Sequence, residues 1–210
     1  MKTLSQLANL DNLQLVKSGP ENGKNEEKNS QWYAFCLNEK IDKIYQDVKF
    51  QEIKMVHPLI YPVLCDWLTP QPKRPSILLH GGVGSGKTYA ALCLLRVFFE
   101  SGTKWLRFLG ANQIIEFGEK RGIESLKEIY GDVPILLVDD LGIEKPAEWQ
   151  IKYFFELFNR RCGQGLTTIM TSNFDFNRLI PILTERVVSR MSGIEVKFPD
   201  EDFRRLAWSK

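Results

Sequence analysis

The stretch GGVGSGKT, residues 81–88, decides the fold class that this sequence predicts. It follows a short apolar strand pattern, Ile77 to His80, and precedes a helical pattern that runs to Glu100. Glycines let the backbone N–H groups turn inward around an anion, and the N-terminus of the following helix adds positive partial charge. The pattern GxxxxGK[ST] between a strand and a helix is typical of phosphate-binding loops. A glycine-rich turn with an incidental lysine is the alternative reading.

The loop predicts a nucleotide site with a magnesium ion. Lys87 is expected to reach the β- and γ-phosphates of ATP, and Thr88 is expected to offer its hydroxyl to Mg²⁺. The predicted nucleotide-binding residues are Gly81, Gly82, Val83, Gly84, Ser85, Gly86, Lys87 and Thr88.

Two adjacent carboxylates end the apolar run ILLVDD, residues 135–140. Like charges at the end of a buried strand repel each other and resist desolvation, so a cation is expected beside them. Asp139 is therefore predicted to hold Mg²⁺, and Asp140 to orient or activate the attacking water. For Asp140, a helix N-cap or a turn is the alternative role.

Two later segments supply candidate polar groups. In TTIMTSNF, residues 167–174, Asn173 follows a strand and could contact the γ-phosphate or the attacking water, although Ser-Asn is also common turn chemistry. Arg186 and Arg190 lie four residues apart and share one face of a predicted helix. Two interpretations are open: the arginines lie on a solvent-exposed helix surface, or they contact the nucleotide bound by a neighbouring subunit.

Strand and helix patterns alternate through the main part of the chain, which predicts an α/β fold with a parallel sheet and helices on both faces. Ligands bind such sheets at the carboxyl ends of the strands. Besides the first strand and helix, the predicted strands are 105–109, 135–139 and 167–171, and the predicted helices are 112–121 and 147–161.

The N-terminal region has a different character. Residues 18–31 are polar, with Gly and Pro, and predict a flexible linker. Residues 32–50 and 57–69 each predict a helix. Before the linker, an amphipathic helix is expected that either folds back or docks on a partner, because apolar side chains recur every three residues at Leu4, Leu7, Leu10 and Leu13.

Composition narrows the class of protein. The 210 residues carry a formal net charge of only +2, so the overall charge of the protein does not indicate that it binds nucleic acid. The four cysteines show no metal-ligand spacing, which argues against zinc and against a disulfide framework. Without a signal-peptide pattern or an apolar run of membrane-spanning length, a cytoplasmic protein is expected.

Taken together, these segments resemble the AAA+ ATPases of the DnaC/DnaI helicase-loader type, and the transposition helper IstB is similar. The segments that carry the resemblance are GGVGSGKT, ILLVDDLGIEKPAEWQ, TIMTSN, ERVVSRM and the closing DFRR. The resemblance covers about residues 75–206. It implies a P-loop AAA+ core with five parallel strands in the order 5-1-4-3-2, the last near residues 194–198. Because the chain ends soon after that strand, no C-terminal helical lid is expected.

By position, the resemblance makes Lys87 and Thr88 nucleotide and magnesium residues and Asn173 a sensor of the γ-phosphate. Arg190 matches an arginine finger that acts on a neighbouring subunit, with Arg186 the second candidate, and Arg204 matches a terminal arginine. The expected parts are a partner-binding helical segment with its linker, 1–55, a connector, 56–75, and an AAA+ ATPase domain, 76–210.

The expected function is ATP-dependent loading or remodelling of the replicative DNA helicase on single-stranded DNA, with slow ATP hydrolysis controlled by assembly. A transposition helper with the same ATPase is the alternative, and a small-molecule P-loop kinase explains fewer of the motifs. Candidate DNA contacts are Lys104, Arg107, Lys120 and Arg121, with Trp105 or Phe108 available for stacking on bases.

Overall fold

Two units make up the chain, Met1–Arg74 and Pro75–Lys210. The structure is a computed structural model that describes residues 22–71, 74–142, 145–191 and 193–203. The predicted leucine stripe of residues 4–13 and the candidate Arg204 lie outside the described residues.

The first unit is helical where it is described. Trp32 is fully buried, and its indole Nε1 donates a hydrogen bond to the Gln46 carbonyl at 2.8 Å, which ties the first helix to the turn that follows. The elements are α1 (Asn22–Asn38), a 3-10 turn (Lys43–Tyr45), α2 (Phe50–Val56) and α3 (Ile60–Leu68).

Two expectations for this unit are wrong. Residues 22–31, expected as part of a flexible linker, form the first half of α1. The side chains of Glu26, Glu27, Lys28 and Gln31 favour helix, and a hydrogen bond joins Gln31 to Glu27 one turn earlier. Buried Trp32 anchors the helix that these residues extend. The helix expected over 32–50 ends at Asn38, and Ile44, assigned to its apolar side, is 78% exposed.

The second unit contains a five-stranded sheet in which every pair of neighbours is parallel. The central strands are continuous apolar runs, as expected for strands covered on both faces. The strand order is β2-β3-β4-β1-β5, which is the expected order 5-1-4-3-2 read from the other edge. The strands are β1 (Ser76–His80), β2 (Leu106–Gly110), β3 (Ile135–Leu141), β4 (Thr167–Ser172) and β5 (Gly193–Lys197).

Helices cover both faces of this sheet. Leu78, Val138 and Met170 belong to a buried cluster with side chains of the helices that follow β2, β3 and β4, while α4 contacts β1, β3 and β4. The predicted P-loop α/β fold is confirmed. The helices are α4 (Lys87–Glu100), α5 (Ala111–Leu126), a π turn (Lys127–Gly131), a 3-10 turn (Glu148–Gln150), α6 (Ile151–Gln164), α7 (Phe176–Leu183) and α8 (Glu185–Met191).

The described residues after β5, 198–203, contain no helix. In the described part of the chain, no helix combines the length and the apolar character needed to cross a membrane. The same residues contain no group of three His, Cys, Asp or Glu side chains that could hold a metal ion by themselves.

Candidate functional site

The glycine-rich loop joins β1 to α4 at the carboxyl edge of the sheet. Gly81, Gly84 and Gly86 have φ angles of 145°, 76° and 89°, which residues with a Cβ atom rarely adopt. A Cβ at Gly81 would also collide with the Phe198 carbonyl oxygen. Since Gly86 leads directly into α4, the loop brings its backbone to a helix N-terminus, a geometry that suits phosphate.

The Lys87 side chain lies inside this loop. Its Nζ donates hydrogen bonds to the carbonyls of Gly81 at 3.0 Å and Gly82 at 2.6 Å, and it lies 3.5 Å from Ser85 Oγ. The side chain is 6% exposed. Phosphate oxygens entering the loop could replace these carbonyls as acceptors and form stronger, charge-assisted hydrogen bonds.

Thr88 and Asp139 meet across the base of the loop. Thr88 Oγ1 donates a hydrogen bond to Asp139 Oδ1 at 3.0 Å, and Thr171 Oγ1 donates to the same oxygen at 2.5 Å. Burial raises the pKa of Asp139 to about 6; the Asp140 charge adds to the rise, and the two hydroxyls and Lys87 oppose it. A carboxylate that burial makes costly to ionise, next to a hydroxyl, is an oxygen set that fits Mg²⁺.

Asp140 follows Asp139 but faces solvent. Its φ of 61° is uncommon for a residue with a side chain. The cause is a β-bulge, in which Asp139 and Asp140 together oppose Thr171 alone. The bulge is defined by the pairs on either side, Val138 with Met170 and Leu141 with Ser172. Consecutive carboxylates thereby differ in burial, and the exposed one can reach a water molecule.

Asn173 comes directly after β4, the strand that lies between β3 and β1. It is partly exposed, and its amide forms no hydrogen bond to another described residue. It is thus at the same edge as the glycine-rich loop and Asp140, because the carboxyl ends of parallel strands meet there. Its role as a sensor remains a prediction.

The two candidate arginines on α8 differ in their contacts. The guanidinium carbon of Arg186 lies 3.9 Å from the centre of the Phe155 ring, a cation–π contact within the chain. Arg190 is exposed, with no ion pair or ring contact to a described residue. Of these two exposed arginines, Arg190 is therefore the one whose guanidinium has no such contact within the described residues.

A cavity of about 190 Å³ lies beside the carboxylates. Asp139, Asp140 and Asn112 contribute polar groups to its wall, and Phe154 and Leu183 are among its apolar lining. Asp140 therefore lines this cavity and is also exposed to solvent.

The six candidate DNA-binding residues divide into three pairs. Lys104 and Trp105 are exposed just before β2, an edge strand, and Trp105 is 70% exposed. Lys120 and Arg121 lie on α5, where Lys120 is 3.7 Å from Glu116 and Arg121 lies over Phe117. The remaining two candidates, Arg107 and Phe108, are half-buried on β2.

Sequence reasoning missed two polar residues with several hydrogen bonds, Thr171 at the site and Arg161 at the opposite edge of the sheet. Thr171 hydrogen-bonds to both acidic residues, through the Asp139 carboxylate and the Asp140 backbone N–H. Arg161 is 1% exposed and donates hydrogen bonds to the Thr168 hydroxyl and to three backbone carbonyls. The sequence signal for Thr171 was a polar residue within an otherwise apolar strand pattern. The signal for Arg161 was a charged residue at the end of the apolar face of a predicted helix.

The chain is similar in sequence and in fold to known DNA replication proteins. No protein-family model matches the chain. The chain is 31% identical over 141 residues to the chromosomal replication initiator protein DnaA of Synechococcus sp. and 32% identical over 138 residues to that of Gloeobacter violaceus. Each match covers 61% of this chain, but the chain spans only about 30% of the length of these relatives.

Solved structures agree in fold. AMPPCP-bound DnaA from Aquifex aeolicus superposes with a TM-score of 0.63 at 23% identity, covering 75% of this chain and 51% of that one. A DnaA structure bound to AMPPCP and single-stranded DNA gives 0.63 at 22% identity, with the same coverage. The DnaC helicase loader gives 0.64 at 19% identity, covering 75% of this chain and 99% of that one. The chain therefore has the fold of the P-loop AAA+ ATPases and is similar to proteins of that class from DNA replication.

Proposed function

We propose that this protein is an ATP-dependent loader or remodeller of the replicative DNA helicase that assembles on single-stranded DNA when it binds ATP. The observation that carries the ATPase part is the arrangement at the carboxyl edge of the sheet. There the loop around Lys87 follows β1, and Thr88 donates a hydrogen bond to Asp139 near the end of β3. The outward-facing Asp140 is the next residue of β3. The loader part draws support from the motifs after Asp140 and from the fold shared with DnaC.

Each side chain has one task in the proposed reaction. Lys87 binds the β- and γ-phosphates, and Thr88 and Asp139 hold Mg²⁺, which when bound neutralises charge on the phosphates. Asp140 orients the attacking water and accepts its proton. Asn173 contacts the γ-phosphate or that water.

Arg190 is proposed to act on the nucleotide of the neighbouring subunit. Its exposed guanidinium would stabilise the charge that develops on the transferring phosphoryl group. Hydrolysis then depends on assembly, so ATP acts as a slow switch: binding favours the assembled state, and hydrolysis releases the partner.

The first unit is proposed to bind the helicase. Its described part carries several large apolar side chains in contact with solvent, and such residues often mark protein interaction sites when they lie close together. Leu37, Ile44, Met55 and Leu59 are 70–87% exposed.

Single-stranded DNA is the proposed second partner. The exposed Trp105 could stack on a base, and the neighbouring Lys104 could contact a phosphate. One of the DnaA structures that share this fold is bound to single-stranded DNA.

An initiator-type function is the second candidate. The specific observation in its favour is that the curated sequence relatives described above are DnaA proteins. The two candidates share the ATPase and differ in the protein partner, so a partner assay separates them.

Direct binding to the purified replicative helicase of the same organism tests the loader proposal. We expect the 210-residue chain to bind in a pull-down with ATP and Mg²⁺. Leu59→Glu is expected to weaken binding, because Leu59 is 87% exposed and a charge there opposes an apolar contact. Lys54→Glu, an exposed change in the same unit that removes no large apolar side chain, is the control. Absence of helicase binding by the wild-type chain would contradict the loader proposal and favour the initiator-type candidate.

A further inference from the structure

Thr171 is bonded to both acidic residues of the site. Its Oγ1 donates a hydrogen bond to Asp139 Oδ1 at 2.5 Å and accepts one from the Asp140 backbone N–H at 2.9 Å. A hydroxyl carries one proton and two lone pairs, so it can make both bonds at once. The residue is fully buried on β4, which limits the positions that the hydroxyl can take.

The location of Thr171 explains why two bonds meet there. Asp139 and Asp140 oppose this single residue in the bulge between β3 and β4. A bulge disrupts the backbone ladder locally. The Thr171 hydroxyl is the acceptor that the Asp140 N–H finds instead, and it supports the backbone at the φ of 61°.

Thr88 also contacts Asp139, but it has a second task. Its hydroxyl is a predicted Mg²⁺ ligand, so its bond to the carboxylate is expected to change when Mg²⁺ and nucleotide bind. Thr171 belongs to the sheet and has no predicted contact with nucleotide. Its bonds to the two acidic residues can therefore persist through the ATPase cycle.

We propose that Thr171 is a positioning residue of the nucleotide site, which sets the direction of the Asp139 carboxylate toward Mg²⁺ and holds the backbone that directs Asp140 toward the attacking water. This inference rests on the proposed ATPase function. Groups that orient a metal-holding carboxylate tune the affinity for the metal as well as the reaction, so Thr171 should affect both.

The substitutions Thr171→Val and Thr171→Ser separate the hydroxyl from the shape of the side chain. Valine keeps the branched shape but can neither donate to Asp139 nor accept from Asp140, whereas serine keeps both bonds. The first readout is the Mg²⁺ concentration that gives half-maximal enhancement of the binding of a fluorescent ATP analogue. Thr171→Val should raise this concentration by about 10- to 100-fold, and Thr171→Ser should retain the wild-type value.

The second readout is steady-state ATP hydrolysis at saturating Mg²⁺. For Thr171→Val, kcat is expected to fall by about 10- to 100-fold while KM for ATP stays near the wild-type value, because the phosphate-binding loop is unchanged. Analogue binding in EDTA serves as the folding control, since it depends on the loop and not on Mg²⁺. If Thr171→Val does not fold, Thr171→Ala replaces it in the comparison with Thr171→Ser.

The inference is overturned if the variant without the hydroxyl and Thr171→Ser have the same Mg²⁺ midpoint and the same kcat. A wild-type protein that binds and hydrolyses ATP, with a fully active Thr171→Val, would reject the positioning role and leave the proposed ATPase standing. A wild-type protein that binds no ATP would reject both.

Discussion

Lys87→Ala is expected to weaken ATP binding by on the order of 100-fold, because it removes two or more charge-assisted hydrogen bonds to the phosphates. The Lys87 ammonium group already lies inside the loop, 2.6 Å from the Gly82 carbonyl, and the residue is only 6% exposed. Titration of the purified protein with a fluorescent ATP analogue in the presence of Mg²⁺ measures the change in Kd.

The control for this substitution is Lys54→Ala, which removes an exposed lysine from the first unit. It loses the same charge and should leave Kd unchanged. Equal affinities of Lys87→Ala and the wild-type protein, with both folded by circular dichroism, would show that the glycine-rich loop does not bind the phosphates.

Arg161→Leu is expected to lower the free energy of unfolding by about 3–5 kcal/mol. The guanidinium group donates to the Thr168 hydroxyl at 2.9 Å and to the carbonyls of Tyr130, Val133 and Thr167 at 2.8, 2.9 and 2.6 Å. Burial lowers the pKa of Arg161 to about 9, so the group remains cationic at neutral pH. Leucine removes the Arg161 donors from all four of these acceptors, at the start of β4 and before β3.

Arg160→Leu is the matched control. Arg160 is the neighbouring residue on α6, but it is exposed and its guanidinium pairs with Asp132 at the surface. Surface ion pairs contribute little to the free energy of unfolding, so Arg160→Leu should shift the unfolding midpoint much less than Arg161→Leu does. Urea denaturation of both variants measures the difference, and similar midpoints would contradict a structural role for Arg161.

The fold of the second unit could be predicted because its signals are local and strong. GGVGSGKT requires a strand before it and a helix after it, and the structure has β1 and α4 at those places. The short apolar run before Asp139 favours a covered strand, and β3 begins at Ile135 as expected. Strand order was not encoded in any local pattern; it came from the family resemblance.

The first unit was harder because its signals compete. Composition alone made residues 22–31 a linker, but helix-forming side chains extend a helix that buried Trp32 anchors. The period of the apolar residues after Trp32 suggested one helix to residue 50, yet Ile44 is exposed in a 3-10 turn. Tertiary packing, which no short window contains, decided both cases.

In the nucleotide site, too, some features could be predicted from local sequence and others depend on tertiary contacts. The two carboxylates could be assigned different roles because adjacent charges are costly, but the bulge that separates them depends on pairing with β4. Thr171 lies 32 residues from Asp139, so its hydroxyl could be connected to that carboxylate only after the strands were paired.

The central claim is that one subunit supplies Asp140 and its neighbour supplies Arg190 to a single ATP site. Asp140→Asn should lower kcat by about 10²- to 10⁴-fold, as expected for loss of the group that activates water. Arg190→Ala should lower it by about 10³- to 10⁵-fold, as expected for an arginine finger.

The most direct test is steady-state ATP hydrolysis by an equimolar mixture of Asp140→Asn and Arg190→Ala, measured at concentrations where the wild-type protein assembles. In the mixture, an Arg190→Ala subunit keeps its own Asp140 and can receive Arg190 from an Asp140→Asn neighbour. We predict activity well above the sum of the two variants measured alone. Activity no greater than that sum, or an Arg190→Ala variant with wild-type hydrolysis, would contradict the claim.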